Sequence, residues 1–329
     1  MDRFLSQKLL FIVVVSFLLV PLMKGQVLAE SGWTPKQNIS LVTHTNPGSG
    51  SDLLLRALAE VWTKNNMIPT RVMVENVAGA GGQKAQMYVL HQNKGNEHML
   101  MGYTPSQLNR PLLLKTSVTP RDFTQIAILV EEVLVLGVKA DSPFKNFRDV
   151  IEAAKAKPQS VLQGGGAFGN TGSLVGKIIS EATQAQFSYV PFKSDGEAVA
   201  ALLGGHVNFM IGNPSEFNQH VASGEMRLLA SGSHIKRYPN LKTFKDLGYN
   251  FRVLTGFRCF MAPPGISSEA VAYYVNLLDR TRKTADWQDY VDKNDLSTIW
   301  MSGQELETFL DEEYKTYARL NKELGLVKK

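Results

Sequence analysis

Two glycine-rich loops constrain the fold of this chain more than any other feature of its sequence. Residues 46–52 form the first loop and residues 164–171 the second, and each lies between a short β-like run and an amphipathic helical run. The first N–H groups of a helix lack an internal acceptor, and the helix dipole places partial positive charge there. Glycine also lets the backbone approach a ligand closely. The loops therefore predict two similar lobes, each offering backbone N–H groups to a small anion.

The N-terminal residues 1–29 have the pattern of an export signal. Basic Arg3 and Lys8 precede an apolar run over residues 9–23, and the segment closes on a small-x-Ala sequence that ends at Ala29. The apolar run is shorter than the about 20 residues that a membrane-spanning helix needs. We therefore expect cleavage near Ala29 and a mature protein in a bacterial-type periplasm.

The composition of the chain limits the kinds of molecule that it is expected to bind. The chain has 35 Lys and Arg residues against 30 Asp and Glu residues, for a net charge of +5 at pH 7. No stripe of basic residues interleaved with aromatics is present, so we do not expect nucleic-acid binding. Cys259 is the single cysteine, so no intramolecular disulfide can form and a large core must stabilise the protein. We expect a monomer.

Strand-like and helix-like runs alternate along the mature chain, as in the apolar run Ile39–Thr43 and the helical pattern over residues 53–62. Repeated units of this kind predict parallel sheets with helices on both faces. The pattern restarts in mid-chain, so we expect lobe I to combine residues 30–127 with 252–329 and lobe II to comprise residues 128–251. Ligand would lie in the crevice beyond the carboxyl ends of the strands.

Motifs for catalysis are weak. Gly164, Gly166 and Gly169 match G-x-G-x-x-G, but the next strand does not end in the acidic residue that would hold a ribose, and Asp195 comes only after a proline. The six histidines never pair at i, i+4 spacing, no G-x-S-x-G elbow exists, and Cys259 lacks the context of a nucleophile. We therefore expect a binding protein without enzymatic activity, metal or cofactor. An exported nicotinamide-dependent oxidoreductase is the less favoured alternative.

Polar side chains favour ligand contact at both loops. Ser49 and Ser51 add hydroxyl groups to the first loop, and Asn170 and Thr171 add polar groups to the second. Asp52 is better interpreted as a helix N-cap than as a ligand group. The alternative is that each glycine cluster serves only to turn the chain.

Five segments in register resemble a known family of receptors. They are residues 47–52 with Arg56, residues 74–82, residues 190–193, residues 203–208 and residues 224–230. Together they resemble the solute-binding receptors of tripartite tricarboxylate transporters, the TctC or Bug family. The resemblance covers nearly the whole mature chain. It implies a type II periplasmic-binding-protein fold of class α/β, with two lobes of mainly parallel sheets joined by two crossover strands.

The resemblance also implies a set of ligand-binding residues, which hold one carboxylate group through backbone amides, hydroxyls and ordered water. Those of lobe I are Thr45, Asn46, Ser49, Gly50, Ser51, Tyr103 and Thr104, and those of lobe II are Ala167, Phe168, Gly169, Asn170, Thr171 and Asn213. Thr45 stands where the family usually has an aromatic residue, and residues 193–196 replace a Lys-Gly-Gly-like turn. Arg258 is expected either to clamp a second carboxylate or to lie at the surface.

The partners that the resemblance implies are a small organic carboxylate and a large and a small integral membrane subunit of a transporter driven by an ion gradient. The alternative is a ligand-sensing periplasmic protein that regulates a membrane sensor kinase. The two differ in the membrane partner, which the sequence of the receptor does not identify.

Overall fold

The computed structural model describes residues 32–166, 168–192, 195–251 and 253–327. The predicted export signal and Ala167 lie outside these residues. The strands are β1 (Ile39–Thr43), β2 (Val72–Asn76), β3 (Met99–Tyr103), β4 (Thr124–Glu132), β5 (Val135–Lys139), β6 (Val161–Gly165), β7 (Phe187–Pro191), β8 (Phe209–Gly212), β9 (Met226–Ser231), β10 (Gly256–Ala262) and β11 (Leu296–Ser302).

Ten α-helices lie between and after these strands in the described part of the chain. They are α1 (Gly50–Lys64), α2 (Gln83–Met87), α3 (Pro105–Leu114), α4 (Phe147–Ala156), α5 (Thr171–Thr183), α6 (Asp195–Leu203), α7 (Pro214–Ala222), α8 (Ser268–Thr281), α9 (Ala285–Lys293) and α10 (Gly303–Glu323). Ser, Thr and Asn residues occupy the N-cap positions of most of them, including Ser49 before α1, Asn170 before α5 and Asn213 before α7. None of the described helices combines the length and apolar character that crossing a membrane requires.

The described strands form two sheets, and each sheet belongs to one lobe. The first lobe has the order β11-β4-β10-β3-β1-β2, and the second has the order β7-β6-β8-β5-β9. Strand β1 pairs in parallel with β2 and β3, and β6 pairs in parallel with β7 and β8. In contrast, β10 is antiparallel to β3 and β4, and β5 is antiparallel to β8 and β9. The sequence predicts mainly parallel sheets, whereas both sheets are mixed.

The antiparallel pairs arise where the chain passes between lobes. Strand β4 stays in the first sheet up to Glu132, and β5 begins the second sheet at Val135. The first crossing therefore lies at residues 133–134, and the division expected at residues 127–128 falls inside β4. The chain returns to the first sheet between β9 and β10, over residues 232–255.

A continuous apolar core joins the two lobes. One cluster of buried side chains contains Tyr103 of β3 together with Leu174 of α5 and Phe209 of β8. Leu310 and Leu320 of α10 belong to the same cluster. This C-terminal helix therefore shares a core with residues of both lobes. A second cluster, around Trp62 and Trp287, fills the space between the first sheet and helices α1, α8 and α9. The lobes are therefore not independent in their packing.

Cys259 lies in the first sheet, within the strand β10. It stands opposite Tyr103 of β3 and Ile128 of β4, and it is fully buried. Burial raises the pKa of its thiol far above the ordinary value. The residue therefore fills space in the core.

Candidate functional site

A cavity of about 130 Å³ lies between the lobes, beyond the carboxyl ends of β4 and β8. The first lobe contributes Glu132 at the end of β4 and Gly256 at the start of β10. The second lobe contributes the N-terminal ends of α5, α6 and α7. Ligand sites of α/β proteins occur at this position because loops and helix N-termini converge at the carboxyl ends of the strands. We refer to this cavity as the cleft.

The N-terminus of α5 supplies donors to the cleft. Asn170 caps the helix, its side chain accepting the N–H of Ser173 at 2.9 Å, and Gly169 donates its own N–H to the Ser173 hydroxyl at 2.9 Å. Gly169 has a φ of 92°, a left-handed conformation that favours glycine. Thr171 and Gly172 follow in the first turn and line the cleft, and N–H groups at these positions have no acceptor within the helix. The second glycine loop therefore directs helix-terminal N–H groups into the cleft.

Two acidic side chains enter the cleft from the second lobe. Asp195, at the start of α6, accepts the N–H of Gly166 at 2.8 Å and the side-chain amide of Asn170 at 3.4 Å, both on its Oδ1 atom. Glu216, in the first turn of α7, accepts the N–H of Asn213 at 3.2 Å. Burial and the carboxylates of Asp195 and Glu132 raise the pKa of Glu216 to about 7. Glu216 therefore binds a proton much more readily than an exposed glutamate does.

Glycines make the space that these acids and Glu132 occupy. A Cβ atom would lie 2.9 Å from Asp195 Oδ1 if built on Gly166, 2.3 Å from Glu216 Oε2 if built on Gly212, and 2.9 Å from Glu132 Oε2 if built on Gly256. None of these three glycines has a positive φ. These glycines therefore leave room for the carboxylates in their present positions, and none of them serves a left-handed turn.

Arg258 of β10 is the basic side chain on the first-lobe side of the cleft. Its guanidinium forms an ion pair with Glu132, and only 14% of the side chain is exposed. Burial, reinforced by the positive charge of Arg258, lowers the pKa of His44 to about 4. His44 is therefore uncharged at neutral pH. Arg258 is paired with Glu132 and not with the histidine.

A network around Asp52 fixes the first glycine loop. Asp52 is 1% exposed, and its carboxylate accepts the N–H of Gly48 at 2.8 Å, Arg56 Nε at 2.9 Å and the side-chain amide of Asn76 at 2.9 Å. The hydrogen bond from Arg56 is the main reason that the pKa of Asp52 falls to about 2. Ser49 is the N-cap of α1, and Asp52 closes the loop from the third helical position. The interpretation of Asp52 as the N-cap is therefore wrong, because Ser49 holds that position. The Asp52 carboxylate is nevertheless used within the protein and not for ligand contact.

Residues 54–326 match the family model TctC, which is described as the tripartite tricarboxylate transporter family receptor. The chain belongs to this receptor family. Among relatives of this TctC receptor, a UPF0065 protein in the gbd 5′ region of Cupriavidus necator is 28% identical over 308 residues, which is 91% of each chain. Protein BugT of Bordetella pertussis is 28% identical over 248 residues, which is 72% of this chain and 74% of BugT.

Solved structures share the fold of this TctC receptor. A TctC solute-binding protein from Polaromonas, solved with no ligand, aligns with a TM-score of 0.79 at 23% identity and covers 88% of this chain and 99% of that protein. MatC from Rhodopseudomonas palustris, solved with bound malate, aligns with a TM-score of 0.64 at 19% identity and covers 87% of this chain and 99% of MatC. The periplasmic-binding-protein arrangement of two α/β lobes is therefore common to all three.

Some of the predicted site residues lie in the cleft or in the first glycine loop beside it. Asn170, Thr171 and Asn213 line the cleft. Gly50 lines an adjoining cavity of about 230 Å³, which shares Glu132 with the cleft. Thr45, Asn46 and Ser49 belong to the turn that leads into α1, where the hydroxyl of Ser49 donates to that of Thr45. Ser51 is the second residue of α1 itself. The two glycine loops therefore border neighbouring cavities that meet at Glu132.

Three predicted residues lie elsewhere. Tyr103 is 1% exposed, with its ring against Phe123, and burial raises the pKa of its phenol. Thr104 is buried at the start of α3, where its N–H donates to the Gln107 side chain at 3.1 Å. Phe168 is 43% exposed and lines a different cavity of about 330 Å³. Gly169 adjoins the C-terminal segment, where a Cβ atom would lie 2.7 Å from Leu326.

The acidic residues of the cleft are absent from the sequence-based site. Glu132 is a strand-end carboxylate, and Glu216 follows Asn213 at the spacing of a capping box. In the sequence, Asp195 is considered only as the acidic residue of a dinucleotide-binding motif, which it matches poorly. The spacing at Asn213 is the one local pattern that points to any of these acids. It indicates a helix start, not a ligand contact.

A larger cavity of about 340 Å³ lies on the outer side of the first lobe, between α1 and α9. It is lined by charged side chains, and two of these, Lys64 and Asp286, form an ion pair with each other. Neither glycine loop contributes to its lining. The smaller cleft between the lobes is therefore the candidate functional site.

Proposed function

We propose that the protein is a periplasmic solute-binding receptor, without enzymatic activity, that captures a small organic carboxylate in the cleft and delivers it to a tripartite tricarboxylate-type membrane transporter. The observation that carries this proposal is the N-terminus of α5, whose first-turn residues Thr171 and Gly172 face a cavity between two lobes. Helix-terminal N–H groups attract anions through their free donors and the helix dipole. A carboxylate placed there would contact both lobes and favour their closure.

Membership of the TctC receptor family supports this proposal. Two proteins of the same fold from R. palustris were solved with carboxylates, one with malate and one with adipate. By analogy, we assign ligand contact to Asn170, Thr171 and Asn213 within the cleft, and to the residues around Gly50 when the lobes close. Lobe II would comprise the five-stranded sheet with its helices, and the rest of the mature chain would form lobe I.

Export and delivery complete the proposal. The N-terminal residues 1–29 would direct the protein to the periplasm and be removed near Ala29. One large and one small integral membrane subunit would receive the ligand from the closed receptor. These partners follow from the family, since receptors of this kind serve such transporters.

A thermal-shift screen of the mature protein against mono-, di- and tricarboxylates and amino acids tests the proposal. A ligand at a hundredfold excess over its dissociation constant stabilises the native state by about 2.7 kcal/mol, so the correct compound should raise Tm clearly. Thr171→Phe should abolish this shift because its side chain fills the cleft. Ala182→Phe, at an exposed position of the same helix, is the matched control and should retain it. A flat response to every anion would contradict carboxylate binding.

A further inference from the structure

The second glycine loop belongs to the second lobe, but it also contacts a residue of the first. A Cβ atom built on Gly169 would lie 2.7 Å from Leu326 Cδ1, 3.8 Å from its Cδ2 and 3.9 Å from its Cγ. The branched end of the Leu326 side chain therefore packs directly on the backbone of the loop. Leu326 follows α10, which packs against β4 and β11 of the first sheet and against α3. The contact thus joins the first lobe to the loop that enters α5.

The turn after α10 sets the position of Leu326. Gly325 has a φ of 66°, and its N–H donates to the carbonyl oxygen of Lys322 at 3.1 Å. The N–H of Leu326 donates to the carbonyl oxygen of Asn321 at 2.9 Å. These two bonds form a Schellman motif, in which a left-handed residue reverses the chain directly after a helix. The side chain of Leu326 is therefore directed by the end of α10.

Asn321 anchors this turn within the first lobe. It is fully buried, and its side-chain amide donates to Asn109 Oδ1 of α3 at 2.5 Å. A buried hydrogen bond of this kind is costly to break, because the partner that is left behind is unsatisfied. The group that packs on Gly169 is therefore supported from α3 through the last turn of α10.

Two further contacts hold α10 against α5. Arg319 Nη1 donates to Glu181 Oε2 at 2.9 Å, near the end of α5. Tyr317 is buried, and its phenol lies beside the Thr171 side chain in the first turn of α5. Helix α10 therefore contacts α5 at both ends of that helix.

Gly169 determines how the loop enters α5. Its N–H donates to the Ser173 hydroxyl, and the same hydroxyl donates to the carbonyl oxygen of Asn170 at 2.9 Å. The Asn170 side chain accepts the N–H of Ser173 in return. The N–H groups of Thr171 and Gly172, which have no acceptor within the helix, lie inside this small network. A displacement of Gly169 would therefore change the direction of the N–H groups that face the cleft.

An open cavity beside the loop leaves room for such a displacement. Phe168 lines this cavity of about 330 Å³, together with Leu324 at the end of α10. Groups at the edge of a cavity have fewer packing partners than groups in a filled core. The packing of Leu326 on Gly169 therefore restrains the loop where the cavity does not.

We infer that Leu326 is a positioning residue for the cleft, which holds Gly169 from the first lobe and thereby keeps the N-terminus of α5 in the orientation that receives a carboxylate. The inference deepens the proposed receptor function and rests on it for the ligand. Leu326 itself lies outside the lining of the cleft. A loop that is already ordered loses less conformational freedom on binding. The contact therefore raises the affinity although Leu326 does not touch the ligand.

Substitutions in the turn after α10 test this inference. Leu326→Ala removes the contact, and Gly325→Ala disfavours the left-handed backbone that directs Leu326 to the loop. Leu326→Met keeps an apolar side chain of similar volume and should behave as the wild type does. Leu114→Ala is the matched control, because Leu114 is an exposed leucine at the end of α3. That variant should also behave as the wild type does.

Amide hydrogen exchange of the ligand-free mature protein, followed by mass spectrometry, reports the loop directly. The amides of Gly169, Ser173 and Leu174 are hydrogen-bonded in the structure. They should exchange about three- to tenfold faster in Leu326→Ala and in Gly325→Ala, because local opening becomes easier. Peptides from residues 46–52 of the first glycine loop should exchange at the wild-type rate in all four variants.

Isothermal titration calorimetry with malate, succinate and adipate gives the effect on binding. Any of these acids that the wild type binds should bind about three- to tenfold more weakly to Leu326→Ala and to Gly325→Ala. Leu326→Met and Leu114→Ala should retain the wild-type affinity. Circular dichroism confirms that each variant is folded.

The outcomes distinguish this inference from the proposed function. Unchanged exchange at the second loop of Leu326→Ala would overturn the positioning role and leave the receptor proposal intact. Faster exchange at both glycine loops would also count against it, because the substitution would then loosen the whole protein. Equal affinity of Leu326→Ala and the wild type would show that the contact does not serve binding. If no carboxylate binds the wild type, the receptor proposal fails, whereas the exchange rates still decide whether Leu326 holds the loop.

Discussion

Glu216 is the side chain of the cleft whose charge depends most on its surroundings. It lies among Asp195, Glu132 and buried backbone at the start of α7, and its pKa of about 7 compares with 4.5 in an unfolded chain. The folded state therefore favours the protonated form. A group of this kind contributes its stability fully below about pH 4.5 and loses it as the pH rises through about 7.

Substitution of Glu216 by glutamine should consequently stabilise the ligand-free protein at alkaline pH. The amide stays neutral, so the variant avoids the cost of ionising a buried carboxylate, which is on the order of 3 kcal/mol at about pH 8. Below about pH 4.5 the variant and the wild type should have the same free energy of unfolding. Urea denaturation followed by circular dichroism measures both. A variant that is equally stable with the wild type at both pH values would contradict the assigned environment of Glu216.

Ligand affinity should also depend on pH. A ligand carboxylate near Glu216 would raise the pKa of Glu216 further, so protons would be taken up on binding and the affinity would fall as the pH rises between about pH 6 and pH 8. Calorimetry in two buffers of different ionisation enthalpy counts the protons directly. Proton release on binding of a carboxylate would contradict the placement of the ligand beside Glu216.

The sequence predicts only some of the residues that line the cleft. Asn170, Thr171 and Asn213 follow strand ends, and residues in that position converge on one edge of a sheet, so they could be placed in the cleft from the chain alone. Glu132 and Glu216 could not, because each is also explained by its local role at a strand end or a helix start. Their approach depends on how the two lobes bring the end of β4 near the start of α7. The ligand contacts themselves stay predictions.

At the scale of elements, the contact between α5 and β8 holds the anion-binding helix in place. The second helical residue, Gly172, lies so close to β8 that a Cβ atom would be 2.3 Å from the carbonyl oxygen of Ile211. A backbone atom cannot rotate away as a side chain can. The approach of α5 to the cleft therefore requires glycine at this position.

Gly172→Ala should destabilise the protein by about 1–3 kcal/mol and weaken ligand binding, because the N-terminus of α5 must move away from β8. Gly50→Ala is a matched control for the effect on stability alone, since Gly50 begins α1 and has no neighbouring atom within 4 Å of the added methyl group. That variant should be neutral or slightly stabilised. Urea unfolding and the thermal shift with ligand measure the two effects. A Gly172→Ala protein with unchanged stability would show that α5 does not need this approach.

The elements differ in how far the sequence predicts them. The helix after each glycine loop has an N-cap, a clear apolar face and the expected position, which local patterns determine. Strand β11 was not expected, because Ile299, Trp300 and Met301 form a short apolar run within a charged, helix-rich tail. Antiparallel pairing of β10 and β5 was also missed, because the alternation of strands and helices indicates parallel units. The neighbour of each strand depends on contacts between distant segments, which no local pattern specifies.

At the scale of the whole molecule, the apolar core that joins the lobes makes them mutually dependent. Phe209 and Leu174 of the second lobe share a cluster with Tyr103 and Leu310 of the first. The four tryptophans of the chain, by contrast, all belong to the first lobe, in or against the cluster around Trp62 and Trp287. Tryptophan fluorescence therefore reports the first lobe, whereas circular dichroism reports both lobes.

Phe209→Ala tests this dependence. Removal of a buried phenylalanine should cost about 3–5 kcal/mol, and the shared core should transmit that loss to the first lobe. Urea transitions followed by tryptophan fluorescence and by circular dichroism should therefore coincide in the wild type and shift together in the variant. A fluorescence transition that stays in place while the circular dichroism transition moves would show that the lobes unfold separately.

The burial of Cys259 between β3 and β4 has a practical consequence. Its thiol is inaccessible and its pKa is raised, so thiol reagents should not modify the native protein at neutral pH. A cysteine introduced at an exposed position beside the cleft would then be the one site of labelling without removal of any natural residue. An environment-sensitive dye attached there would convert the receptor into an optical sensor for its own ligand.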